Sequence, residues 1–362
     1  MSAPVQVCKW DLKIGVSPVR GKVYILVMPS PQPYPRLDAA AKERLAQRVG
    51  RLHLWQRQGI QKEHVDALFF QGRTLFNIEN WHLGRKLLRL GLQALGLYER
   101  GRRNARDIRI LHNHVELPHL PPCFDGFRLL QLTDLHLDMD RDITHALYER
   151  VRDTQYDLCV ITGDIRARTF GNIDECLRAL ATLRAQIATP VYLVLGNHDF
   201  IEMVPAIEDM GIRVLLNEST TIEREGRQIH IAGVDDPHFY AADNLEKAGE
   251  SIPLEAVAIL LSHSPDLVRH AAHAGFDLML SGHTHGGQIC LPGGIALTYH
   301  IKSPRRFGRG AWHHNGMQGY TSHGAGTSIV PVRFNCPPEI TIHHLVNRQA
   351  SATTDAGARS GR

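Results

Sequence analysis

From residue 108 onward, short apolar runs alternate with stretches whose apolar positions recur every three to four residues. Arg128 to Leu132, Asp157 to Ile161 and Val191 to Leu195 read as buried strands, while the amphipathic stretches Asp142 to Asp153 and Asn172 to Ile187 between them read as helices. This alternation predicts βαβ units and a largely parallel sheet, hence the α/β class. Beyond Gly211 the apolar pieces shorten: Arg213 to Leu216, Thr221 to Glu223, Gln228 to Gly233, Ala258 to Leu261 and Leu278 to Ser281. They predict a second sheet packed on the first.

The N-terminal third follows a different pattern. Val23 to Met28 can form a short strand, and Pro29, Pro31, Pro33 and Pro35 then impose an extended linker. Asp38 is placed to cap a helix over Ala39 to Gln56, and a second helix is expected over Trp81 to Tyr98. In the second, Leu83, Leu87, Leu88, Leu90, Leu92, Leu95 and Leu97 are interleaved with Arg85, Lys86 and Arg89, and Arg100, Arg102, Arg103 and Arg106 follow. Two readings stay open: leucines packed on the α/β domain with a solvated arginine face, or an interfacial helix over residues 81–106 meeting a membrane surface. The pattern divides the chain into an extension and linker (1–36), a helical basic region (37–107), the α/β domain (108–346) and a polar tail expected to be disordered (347–362).

Composition excludes little. At 362 residues, 43% hydrophobic and 22% charged, the chain has the profile of an ordinary globular protein, and its net charge of +4 suits an anionic substrate without implying nucleic acid. Cys8, Cys123, Cys159, Cys176, Cys290 and Cys336 form no CxxC pair and several lie in apolar runs, so reduced core thiols and a cytoplasmic setting are expected. No apolar run is long enough to span a bilayer, Met1 to Arg20 lacks the apolar stretch of a signal peptide, and Arg102-Arg103 lies too deep to act as a twin-arginine export signal.

Five of the strand-like runs end in turns rich in metal-binding groups: Asp134-Leu135-His136, Gly163-Asp164, Gly196-Asn197-His198-Asp199, Ser262-His263-Ser264 and Gly282-His283-Thr284-His285. Open α/β sheets bind ligands at the carboxyl ends of their strands. Asp134 and His136, like His283 and His285, are separated by one residue, and in extended backbone such a pair faces one side. Carboxylate, imidazole and amide donors without thiolate suit two borderline divalent ions, manganese or iron first and then zinc, rather than a calcium cage or a structural zinc. These turns use five of the 22 histidines. The pairs His313-His314 and His343-His344 have no surrounding partner motif and read as structural, Asp235-Asp236 as a strand-end turn, and Trp81, Trp312 and Tyr320 as packing residues.

The ordered series DxH, GD, GNH[DE], H and GHxH from Asp134 to His285 resembles the signature of the calcineurin-like metallophosphoesterases. Residues Gly282 to Gln288, with Gly324-Ala325-Gly326-Thr327 and Arg333 to Ile340, are similar to the bacterial phosphodiesterase branch of that family. The resemblance implies a four-layer α/β/β/α sandwich with an N-terminal helical extension. It further implies a dinuclear-metal hydrolase of phosphodiester or pyrophosphate bonds, in which ions about 3.5–4 Å apart activate a bridging hydroxide. By motif, Asp134, His136 and His285 would bind one ion, Asn197, His263 and His283 the other, and Asp164 would bridge both. His198 would be the catalytic group that protonates the leaving oxygen, with Asp199 orienting it or a ligand from behind.

The run Gly163-Asp164-Ile165-Arg166-Ala167-Arg168 departs from the GDxxDR of phosphoprotein phosphatases, with Ala167 at the acidic position. That disfavours a protein-phosphatase role and leaves Arg168, and Arg166 beside it, to bind phosphate oxygens. Related bacterial enzymes cleave the pyrophosphate of UDP-2,3-diacylglucosamine at the inner membrane, and the Leu/Arg helix would suit docking there. A cyclic nucleotide or other small diester is the other substrate class. A nucleic-acid partner is not expected, and a non-catalytic scaffold of the same fold is opposed by the filled ligand positions.

Overall fold

The computed structural model describes residues 37–70 and 82–347, preceded by an antiparallel pair of short strands, β1 (Ile14–Val19) and β2 (Lys22–Val27). The proline-rich linker, Cys8, Trp81 and the tail beyond Asn347 lie outside the described residues.

Two six-stranded sheets organise the rest. The first runs β3 (Arg109–Leu117), β14 (Glu339–Asn347), β4 (Arg128–Leu132), β5 (Leu158–Thr162), β6 (Val191–Val194), β7 (Ile212–Val214), with β4 through β7 parallel. The second runs β12 (Gly310–His314), β13 (Met317–Thr321), β11 (Leu278–Ser281), β10 (Ala258–Leu261), β9 (Arg227–Gly233), β8 (Glu218–Arg224), with only the two edge strands antiparallel.

Side-chain alternation builds the layers. Leu130, Leu132, Cys159 and Ile161 pack on Leu147 and Val151 of α5 (Arg141–Arg152) and on Leu180 and Leu183 of α6 (Asp174–Arg184). Leu129, Leu158 and Val160, one residue out of phase, meet Ile229, Ile231, Ile259, Leu261, Leu278 and Leu280 of the second sheet. The far face of that sheet is covered by Ala248 of α7 (Leu245–Gly249) and Val268 and Ala271 of α8 (Val268–His273). The expected four-layer α/β/β/α sandwich results. β14 escaped prediction because its face toward the second sheet carries Glu339, Thr341 and His343, which are buried and hydrogen-bonded, so its sequence shows no clean apolar alternation.

The N-terminal helices differ from expectation where glycine interrupts them. Asp38 caps α1 (Ala39–Val49) through the Ala41 amide, but Gly50 at φ +91° ends it, and α2 (Arg51–Phe70) begins anew. Likewise α3 (His82–Ala94) stops before Gly96, and α4 (Tyr98–Arg106) follows. Leu45, Val49 and Leu54 enter the same core as the first sheet, and Arg48 pairs with Glu208 and Glu218. Leu92 of α3 packs with Tyr98 on Val330 and Val332, whereas Leu87, Leu90 and Leu95 remain exposed. No described helix is long and apolar enough to cross a membrane.

On the second sheet, Trp312 lies across Gly319, its cross-strand partner, and donates from Nε1 to Thr321 Oγ1 at 3.0 Å. A methyl on Gly319 would clash with three carbons of the indole ring. Gly319→Ala should therefore destabilise the fold by about 1–3 kcal/mol, read as a lower urea midpoint; an unchanged midpoint would refute this packing.

Candidate metal centre

Each of the five turns follows the carboxyl end of a parallel strand. Asp134 follows β4, Asp164 follows β5, Asn197 follows β6, His263 follows β10 and His283 follows β11, so the seam between the two sheets gathers them at one edge. Asp134, His136 and His285 offer donor atoms within 4.8 Å of one another, and Asp164, His263 and His283 do the same. Asp164 Oδ2 also lies 3.9 Å from His136 Nε2, so it adjoins both groups.

The local backbone departs from the extended pairs expected for the DxH and HxH motifs. Asp134, His136, Asp164, His283 and His285 all have φ between 41° and 71°, a left-handed conformation that costs a non-glycine residue about 1–3 kcal/mol. Neighbouring glycines make the necessary room: a Cβ on Gly282 would overlap Thr133 and Asp134, and one on Gly196 would overlap Asp164.

Hydrogen bonds fix which ring nitrogens face inward. His136 Nδ1 donates to the Arg166 carbonyl (2.8 Å), His263 Nδ1 to that of Thr162 (2.8 Å), and His283 Nε2 to that of His300 (3.2 Å). In the neutral rings their other nitrogens carry lone pairs that face the cluster. His263 Nε2 then stands 3.0 Å from Asn197 Oδ1 and 3.3 Å from Asp164 Oδ2, and His283 Nδ1 stands 2.9 Å from Asn197 Oδ1. In the other group His136 Nε2 and His285 Nε2 are 3.0 Å apart, and the buried His285 Nδ1 has no partner. So many converging acceptors are mutually repulsive unless a cation sits among them, and the donor set fits divalent ions.

Protons show the same pressure. Burial pushes the Asp134 carboxyl up to about 6, whereas Asp164, despite burial, is held well below the usual carboxylate range by His263 and His198. Burial opposes charge on His263 too, but Asp164 outweighs it and raises that imidazole to about 10. Burial and His198 lower His136 to about 4. Without an ion, a proton on His263 takes the place of positive charge.

His198 lies at the edge of the cluster. Its amide donates to Asp164 Oδ1 (2.9 Å), its Nδ1 donates to the Ala167 carbonyl (3.0 Å), and its Nε2 is 3.8 Å from Asp164 Oδ2. The Asp199 carboxylate accepts the amides of Asp164 (2.8 Å), Gly196 (2.9 Å) and Ile165 (3.0 Å), so it braces two ligand loops. Arg166 is fully buried, with its guanidinium over Phe200 and donating to the Phe170 carbonyl, while Arg168 is exposed.

A cavity of about 280 Å³ opens onto Asn197, His283 and His285. The sequence reading did not place two of its neighbours there. Leu88 reaches it from α3, and His238, paired with Asp266 at 2.6 Å, sets its ring 4.4 Å from that of His283. Neither lies in a recognisable motif; only chain folding brings them there.

The sequence profile of the calcineurin-like phosphoesterases matches residues 127–287. The chain is 30% identical over 238 residues to the uncharacterized metallophosphoesterase YkuE of Bacillus subtilis, covering 62% of this chain and 81% of that protein. Its identity is 29% over 258 residues to the uncharacterized metallophosphoesterase YkoQ of the same organism (67% and 92% covered), and 29% over 250 residues to one from Aquifex aeolicus (65% and 90%). With the profile spanning all five ligand turns, the chain belongs to the calcineurin-like metallophosphoesterase family.

Proposed function

We propose that this protein hydrolyses a phosphodiester or pyrophosphate bond, with Asp134, His136 and His285 holding one divalent ion, Asn197, His263 and His283 the other, and Asp164 shared between them. The observation that carries this reading is the convergence of ring-nitrogen lone pairs, an amide oxygen and two carboxylates into one buried cluster. When bound, the ions supply charge that neutralises the phosphoryl group and makes water nucleophilic near neutral pH. Manganese fits the mixed oxygen and nitrogen donors best, with iron or zinc next. His198, with Nδ1 donating to a carbonyl, would as an imidazolium give the leaving oxygen a proton from Nε2, and Arg168 is free of burial to meet phosphate oxygens.

A lipid-linked substrate such as UDP-2,3-diacylglucosamine, met at the inner membrane from a cytoplasmic position, is the finer reading. Its support is apolar surface beside the cavity. Leu88 and Phe239 line the cavity and are themselves more than one-third exposed, and the exposed Leu291, Ile295 and Leu297 lie on the segment between Ile289 and Thr298, both of which line it. A small diester needs no such rim.

Three outcomes test these assignments. Asp164→Asn should lose both manganese ions, whereas His198→Ala should keep them and hydrolyse an aryl phosphodiester about 10²-fold more slowly; equal metal loss in both would reverse the roles. Binding of manganese to metal-free protein must expel the His263 proton, present below about pH 10. Affinity should therefore rise about tenfold per pH unit between about pH 6.5 and 8, and more steeply below about 6, where Asp134 is also protonated. Titration calorimetry showing no pH dependence would contradict this. Finally, Leu88→Glu should raise KM for the lipid-linked substrate about tenfold or more and leave the aryl diester unaffected; equal effects on both would sink the lipid reading.

A further inference from the structure

Arg57, in the first half of α2, lies outside the stretch matched by the family profile and is fully buried. Its guanidinium joins three elements. Nη2 donates to the Asp199 carbonyl at 3.0 Å, Nε to Asp235 Oδ1 at 3.3 Å and Nη1 to Gln61 Oε1 at 2.6 Å, while the plane sits 3.3 Å from the centre of the Tyr240 ring. Gln61 Oε1 also accepts the Ile201 amide at 3.0 Å, and its Nε2 donates to Glu202 at 2.8 Å. Asp235 receives His53 as well, at 3.0 Å.

α2 therefore grips the loop after β6 at Asp199, Ile201 and Glu202, and ties it to the loop after β9. This matters because the Asp199 carboxylate collects the amides of Asp164 and Gly196. A buried ion pair is weak as a stabiliser, since an apolar pair of the same size often does as well. Its specific contribution is geometric: a planar fork with fixed directions holds several acceptors at once.

We infer that Arg57 is a positioning residue for the metal centre, fixing the Asp199 loop and through it the backbone that presents Asp164 and Asn197. Its effect on turnover rests on the phosphoesterase reading above; its effect on the loop and on ion affinity does not. The N-terminal helices are then part of the functional unit.

The test uses the full chain carrying Arg57→Met with Asp235→Asn, which removes both buried charges together. Expected are a near-native urea midpoint, faster amide hydrogen exchange at Asp164 and Gly196 in the metal-free protein, and manganese affinity lower by about tenfold or more. On an aryl diester kcat should fall with KM nearly constant. Gln61→Leu, a milder cut in the same bridge, should shift exchange and affinity in the same direction, and serves if the double variant fails to fold. Wild-type exchange and affinity in either folded variant would overturn the inference. Altered exchange and affinity, in a protein whose wild type hydrolyses no diester, would uphold the positioning role and reject only the phosphoesterase reading.

Discussion

A buried carboxylate, Asp164, holds its negative charge at the seam between two sheets because three imidazoles stand within 3.9 Å of it. Burial alone would protonate it; His263 and His198 reverse that balance. Everything around it serves this charge. The His263 and His136 rings are pinned by carbonyls on their far sides, so their inward nitrogens cannot turn away. The Asp164 backbone is itself held by Asp199, whose carboxylate burial and the nearby Asp164 charge push up to about 6. The site is thus poised for cations by fixed acceptors, which costs the apo protein electrostatic repulsion and saves reorganisation when ions bind.

That arrangement explains where the chain tolerates strain. Five residues of the candidate metal cluster adopt left-handed backbone, and glycines stand where the turns from opposite sheets nearly touch. The sandwich core on either side is close-packed and alternates cleanly, so the strain is confined to loops that a rigid scaffold over-determines. Gly326 contributes from the later chain, pressed against the carbonyls of Asp134 and Leu135 and donating its amide to the Asp134 carbonyl.

The N-terminal helices add two different things to this scaffold. α1 and α2 share the core of the first sheet and deliver a buried guanidinium to the loop bearing Asp199. α3 contributes Leu88 to the cavity wall and leaves other leucines in water. Packing and exposure are thus both properties of the same helix: Leu92 faces Val330 and Val332, and Leu87 and Leu90 do not.

The strands β4 to β6, the helices between them and the five ligand turns were legible in the sequence, because buried parallel strands require continuous apolar runs and metal ligation requires particular side chains at strand ends. Local pattern could not show β14, whose inner face carries hydrogen-bonded Glu339, Thr341 and His343, nor the breaks at Gly50 and Gly96, where helical periodicity continues past a glycine in left-handed backbone. Tertiary structure alone decided the roles of Asp199, Arg57, Leu88 and His238. Asp199 lies within a ligand motif and braces the amides of Asp164 and Gly196 from behind, and the other three meet the centre only across long sequence separations. Ligand identity is written locally because coordination chemistry restricts the residue; support is not, because any donor that the fold brings within reach can provide it.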